Sequence, residues 1–363
     1  MKHNPKKRLL PSLLCARMML VAPISFTACE QDNLPNVTIT QTATVEYDYS
    51  ILPEYKDFKA IAKREYLVPG LNEGIVPQGM DVWEEKNLLF ISGYFEEATN
   101  TSGSPSSMLV AVDLQTGEMA GKYCLRNMDG SDHSRHVGGV AITKKNLFLA
   151  NGSTLFRIPL SQIKKAKMAG TLQIVEEIKV PTRASFCNYS GGVLWVGDYQ
   201  DNDKHPTPEW RYMTNNDGNL YKAWTVGYKV KDTESEFSSE NWNASMEYAT
   251  PDYVLSMTKQ IQGFTVIGDQ IVLSQSGGNQ SQLLVYRNVL KNEQDASVKL
   301  NDQSVPVWFL DSAVSVRNYT ILPMSEGLSV YNDKLLVLFE TGTKKYRNAK
   351  NPTDHVWSMA LPE

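Results

Sequence analysis

Along most of the chain, apolar residues come in short runs of five to seven, many alternating with polar ones, and turn residues separate the runs. That period of two predicts β-strands. The runs also repeat as a unit. A polar residue near a glycine or another small residue opens an alternating strand. A turn follows, and then a second strand richer in consecutive apolar residues. The instances start at Gln78 (then residues 88–94), His136 (147–152), Ser185 (193–199), Gln262 (271–277) and Glu326 (335–342). Most units continue into a third alternating strand, as at 108–114, 154–160, 283–286 and 355–360. Fourth strands are expected at 118–125, 173–180 and 305–310. The only helical pattern, residues 161–168, is short and reads as a connection.

Four antiparallel strands per unit, repeated along a chain, predict an all-β fold: a single β-propeller. The spacing of the starts gives five blades, with six or seven left open by segments 37–75 and 201–250, where degenerate units would fit. The third unit is enlarged by an insertion at about 201–249. The last unit ends after its third strand, so an N-terminal segment, 37–49 or 66–69, is expected to add the strand that closes the ring. The propeller domain is assigned to 51–363, preceded by a tether over 29–50.

The first 28 residues differ from the rest. They hold five basic residues and no acidic one, then a nine-residue apolar run at 18–26 that is too short to span a bilayer. This is the pattern of a secretory signal. Thr27-Ala28-Cys29 resembles the bacterial lipoprotein box, with Phe26 where leucine is usual. It implies acylation of Cys29 and an anchor in the outer membrane. The polar Glu30-Gln31-Asp32-Asn33 that follows resembles a surface-export tag. Cleavage near Ala28 to give a periplasmic protein is the alternative. Removal of this segment takes the formal charge from −4 to −9, which argues against a nucleic-acid partner. Cys124 and Cys187 remain in the folded part, either paired or as buried thiols.

The phrases at His136-Val-Gly-Gly-Val-Ala, Leu155-Phe-Arg-Ile-Pro-Leu, Ile271-Val-Leu-Ser-Gln-Ser and Pro323-Met-Ser-Glu-Gly resemble secreted bacterial β-propeller lipoproteins, a group related to the YVTN and quinoprotein-dehydrogenase-like propellers. The resemblance spans residues 75–360. It implies a propeller and no particular chemistry. No tryptophan-docking motif repeats from blade to blade, and no Asp-box is present, so quinone-dependent and sialidase types are disfavoured. No motif identifies a cofactor.

In a propeller the innermost strands line a central channel. The start of each first strand and the end of each second strand share one rim. The residues this brings together are Gln78, Tyr94, His136, Arg183, Asp198, Gln262, Gln275, Glu326 and Glu340 as ligand-binding candidates. Asn151 occupies a matching place. His136, Arg183, Glu326 and Tyr199 are the catalytic candidates. A histidine or tyrosine base with Arg183 neutralising a substrate carboxylate suits β-elimination from a uronic acid, and paired carboxylates suit glycoside hydrolysis. Residues 198–203 are rich in oxygen ligands but lack an EF-hand pattern, so no metal site is assigned. Seven aromatic residues between Trp210 and Trp242 serve either to stack on sugars or to pack the third blade. The expected function is glycan or small-ligand binding, with or without cleavage, at the channel mouth. The alternative is a scaffold for a cell-envelope protein.

Overall fold

The computed structural model describes residues 38–46, 53–96, 105–164, 169–202 and 204–361. The signal segment and Cys29 lie outside them. Five antiparallel sheets form a five-bladed propeller. The innermost strands, in blade order, are Ile75–Trp83, Gly139–Ile142, Phe186–Ser190, Ile261–Ile267 and Ser325–Tyr331. Each packs on the next, and the fifth packs on the first.

The apolar side chains do not form one central core. They form five clusters, each shared by two consecutive blades. Phe90, Leu109 and Tyr123 of blade one, for example, pack on Val140, Leu147 and Phe156 of blade two. This is why nearly every residue of the second strands is buried: a blade is covered on both faces.

Near the axis the inner strands meet backbone to backbone, and here glycine is required. A Cβ on Gly79 would lie 2.5 Å from the Cα of Gly139, and one on Gly327 would lie 2.9 Å from the amide nitrogen of Met80. The glycine that follows the opening polar residue in several units is thus a close-approach residue. Below it, Asp81 joins three blades. It accepts hydrogen bonds from the amide nitrogens of Val82 (2.9 Å) and Ile142 (2.7 Å) and from Ser329 Oγ (2.8 Å).

The ring closes through Ala62–Leu67, which pairs antiparallel with His355–Met359 as the outer strand of blade five. It overlaps the second of the two expected segments. In the first, described residues 38–46 form no strand. Gln41 instead crosses the seam between blades five and one, bonding Leu67 O, Gly117 O and the Met119 amide. A short helix not foreseen in the sequence, Lys56–Ile61, leads into the closing strand and seats Phe58 against Trp357 and Phe339.

Two edges differ from the sequence reading. The fourth strand expected at 173–180 forms as Glu176–Lys179, but a strand that the pattern did not place precedes it. Ala169–Gln173 runs parallel to the fourth strand of blade one, and Glu176–Lys179 completes blade two. Gln303–Phe309 is not the fourth strand of blade four. It adds in parallel to Tyr253–Met257 of blade three, with Ala296–Leu300 outside it, while Ser315–Ile321 completes blade four. In both cases a third-to-fourth-strand connection reaches back to cover the edge of the preceding blade.

The insertion is also not one block. Ala223–Lys229 within it is the third strand of blade three. It leaves one excursion on the funnel rim (198–222) and one on the opposite rim (230–252). Of the aromatics there, Trp224, Tyr228 and Phe237 are core residues. Trp242 donates to Glu176 (2.9 Å), and the Tyr221 hydroxyl donates to Leu310 O (3.0 Å). Packing is their role. Only Trp210 among them is largely exposed. Cys124 and Cys187 are not joined by a disulfide, and Cys187 is buried.

Candidate functional site at the channel mouth

Three of the opening residues reach the channel by the same device. Each sits in a β-bulge of an inner strand. Pairing skips from Pro77 to Gly79, from Ile261 to Gly263 and from Ser325 to Leu328. The extra residue breaks the two-residue alternation and re-aims a side chain. Gln78, Gln262 and Glu326 are the residues so placed. In blades two and three the strand begins later, and His136 and Ser185 stand on the approach to it. Ala184, just before Ser185, holds a left-handed φ of 50° at the cavity wall.

These residues surround a cavity of about 490 Å³. Of the sequence-derived candidates, Gln78, Tyr94, His136, Arg183, Tyr199, Gln262, Glu326 and Glu340 line it, as does Asn151. Asp198 and Gln275 do not. Asp198 points into blade three, where it pairs with buried Arg211 (2.9 Å) and accepts from the amides of Arg183 (2.6 Å) and Trp224 (3.0 Å). Gln275 donates to Lys259 O on the rim. Asp198 is thereby withdrawn from the oxygen-rich stretch 198–203, of which Asp203 lies outside the described residues. Among the described residues no three His, Cys, Asp or Glu side chains converge as a metal site.

The cavity also contains His205 and Tyr346, which have no place in the repeat register. His205 is set by a reciprocal backbone bridge with Asp201 (3.1 Å each way) and meets Tyr199 edge-on. Tyr346 lies on the loop between the second and third strands of blade five. From the same loop, Lys345 donates to the Tyr94 hydroxyl (3.2 Å) and lies over the Tyr94 and Tyr346 rings. The signal available in the sequence was loop length: the second-to-third-strand connections of blades three and five are long, and both open on the funnel rim.

The floor is a carboxyl pair. Gln262 Nε2 donates to Glu326 (3.0 Å) and Gln78 Nε2 to Glu340 (3.1 Å). Glu326 is held well above the usual carboxylate range by burial and by the charge of Glu340, against a smaller opposing effect of Gln262. Burial raises Glu340 too, and Lys345 and Gln78 only partly offset it. The pair therefore retains a proton at pH values where ordinary glutamates have lost theirs. The other wall is basic in character. His136 stacks on Tyr94 with ring centroids 4.4 Å apart. The protein around it, then Lys345 and His205, push its imidazole below the usual histidine range. Its ring is open to water within the funnel, which moderates that shift. Burial pushes Tyr94 up to about 12 and raises Tyr199. The funnel thus brings an imidazole held low and carboxyls held high to one cavity, the kind of pairing that general acid–base chemistry uses.

No family model and no curated protein sequence matches this chain. Among solved structures it is similar to a luciferin-regenerating enzyme (8% identity, 83% of this chain and 95% of that one, TM-score 0.38). It is also similar to BamB from Moraxella catarrhalis (10%, 79% and 84%, 0.31) and to the glutaminyl cyclase of Myxococcus xanthus (11%, 82% and 94%, 0.34). At these identities the likeness is one of fold alone.

Proposed function

We propose that this chain is a ligand-binding β-propeller of the cell envelope. Its ligand is a small glycan or related polyhydroxylated molecule held in the channel mouth. The observation that carries this reading is that residues of all five blades line one cavity of about 490 Å³ with carboxamide, carboxyl, imidazole, phenol and guanidinium groups. That volume lies in the range of small-molecule sites. A sugar presents hydroxyl groups to such amides and carboxyls and C–H faces to rings such as Tyr94, Tyr199 and Tyr346. With Glu326 held high and His136 held low on the same cavity, the same site supports acid–base cleavage of a bound glycan. A lipid anchor on Cys29, holding the propeller at the outer membrane, belongs to the same proposal.

The scaffold alternative draws little support. The large exposed apolar side chains described are Met128, Val175, Trp210, Leu220 and Val316, and they are spread over blades one to four.

The test is calorimetric titration of the purified protein with neutral, acidic and amino oligosaccharides, with mass spectrometry of each mixture for products. Saturable binding of one class, lost in a His136→Ala/Glu326→Gln double variant, is expected. New products would add catalysis. Failure of every glycan class to bind would overturn the reading.

A further inference from the structure

The floor of the funnel is short of hydrogen-bond donors. Gln78 is 4% exposed and directs its amide N–H groups to Pro77 O and Glu340, which leaves its Oε1 with no donor among the described residues. Gln262 likewise donates to Glu326, and its carbonyl oxygen receives no donor among the described residues. Glu326, 2% exposed, receives one hydrogen bond, on Oε1. Glu340 receives one side-chain hydrogen bond, on Oε2. Two carbonyl oxygens and two carboxyl oxygens therefore line one cavity unmatched. None of the four is sealed off from the cavity, so the donors of a bound molecule can reach them.

We propose that the floor receives a cationic amino group and that the ligand class is an amino sugar. Its ammonium sits between Glu326 and Glu340, and Gln78 and Gln262 accept its further N–H and O–H donors. The inference deepens the glycan reading and rests on it.

A neutral hydroxyl would satisfy acceptors but would leave the carboxyl pair without a counter-charge. An ammonium provides three donors and the charge together. The ring of Tyr199 on the same cavity favours a cation further, whereas those of Tyr94 and Tyr346 already carry Lys345. The groups that oppose it are few. Arg183 lies on the wall, where its guanidinium donates to Pro206 O (3.2 Å). Lys345 is held at the rim on Tyr94. Burial holds His136 below the usual histidine range, and His205 lines the same cavity. The field of Lys345 reaches Glu340 yet does not cancel the effect of burial there. The counter-charge of the pair is thus left to the ligand.

The native protein is titrated with a β-linked glucosamine disaccharide, its N-acetylated counterpart, cellobiose and n-butylamine, in buffers of different ionisation enthalpy. The glucosamine disaccharide is expected to bind at least about tenfold tighter than the acetylated form. Binding near pH 6 releases protons as the carboxyl pair ionises, and affinity rises from about pH 5 to about 7. Glu340→Gln should remove both the proton release and the discrimination. The proton count on the native protein stands independently of how that variant folds. Equal affinity for the acetylated sugar or cellobiose overturns the ammonium seat and leaves the glycan reading intact. Binding of n-butylamine with proton release, but of no sugar, keeps the seat and overturns the sugar. Binding of no probe overturns both.

Discussion

Asp81 and Glu326 lie on the inner strands of adjacent blades, one and five, and are buried alike, at 4% and 2% exposure. Their surroundings differ. Asp81 lies beneath the glycine layer and is met by three donors from three blades. Glu326 lies above that layer, in a bulge, and is met by one amide and a second carboxyl. Burial of a carboxyl therefore does not by itself mark a site. What separates a structural carboxyl from a functional one is whether the protein supplies its partners. Asp198, with Arg211 and two backbone amides, belongs with Asp81.

The strongest way to break this comparison is to remove Asp81. Asp81→Ala strands the Val82 and Ile142 amides and the Ser329 hydroxyl, and is expected to cost about 3–5 kcal/mol, read by urea or thermal unfolding. Glu326→Gln strands nothing and is expected to leave stability within about 1 kcal/mol while abolishing ligand binding. Equal losses in the two variants would show that both carboxyls are structural. Next in size, Gly327→Ala places a methyl group against the backbone of Met80 and should cost about 1–3 kcal/mol through shifts at the seam between blades five and one.

Titration gives a subtler distinction. Asp81 is raised to about 7 by burial, and Glu326 and Glu340 are also raised. A carboxyl whose folded pKa lies above its unfolded value near 4 stabilises fully below about pH 4, and that contribution is lost as pH rises through the folded pKa. Carboxyls held low, such as Asp354 beside His355, act in the opposite sense and only as pH falls below about 4. Between about pH 7 and 8, above the range in which His133 and His136, both held below the usual histidine range by burial, act in the opposite sense, the melting temperature should therefore fall with rising pH, and Glu326→Gln should flatten part of that fall. A native protein whose melting temperature is level over this window, or rises, would remove the basis for a protonated floor.

The repeat was legible because packing imposes it. Inner strands that touch need glycine at Gly79, Gly263 and Gly327, and blades covered on both faces need unbroken apolar second strands such as 335–339. Edge membership was not legible. Ala169–Gln173 and Gln303–Phe309 alternate as any strand does, and nothing in their pattern states which blade they join. In the site, register found the residues that bulges deliver but did not separate neighbours. Asp198 and Tyr199 are consecutive and face opposite ways, so one enters the core and the other the funnel. His205, Lys345 and Tyr346 come from loops, where no period applies.

The smallest expected effect tests this last distinction within one blade. Gln262 and Gln275 are both glutamines at the same rim of blade four, where Gln275 pairs with Ile261, the neighbour of Gln262. The bulge turns Gln262 into the cavity, whereas Gln275, in regular pairing, donates to Lys259 O outside it. Gln275→Ala should change stability by no more than about 0.5 kcal/mol. It should leave the affinity for whichever ligand binds the native protein within about twofold. Gln262→Ala removes the one donor to Glu326 and should weaken that ligand about tenfold or more, measured by the same titration. If Gln275→Ala lost affinity as Gln262→Ala does, the ligand would reach the rim of blade four, and position on the strand, not the bulge, would be what selects the binding residues.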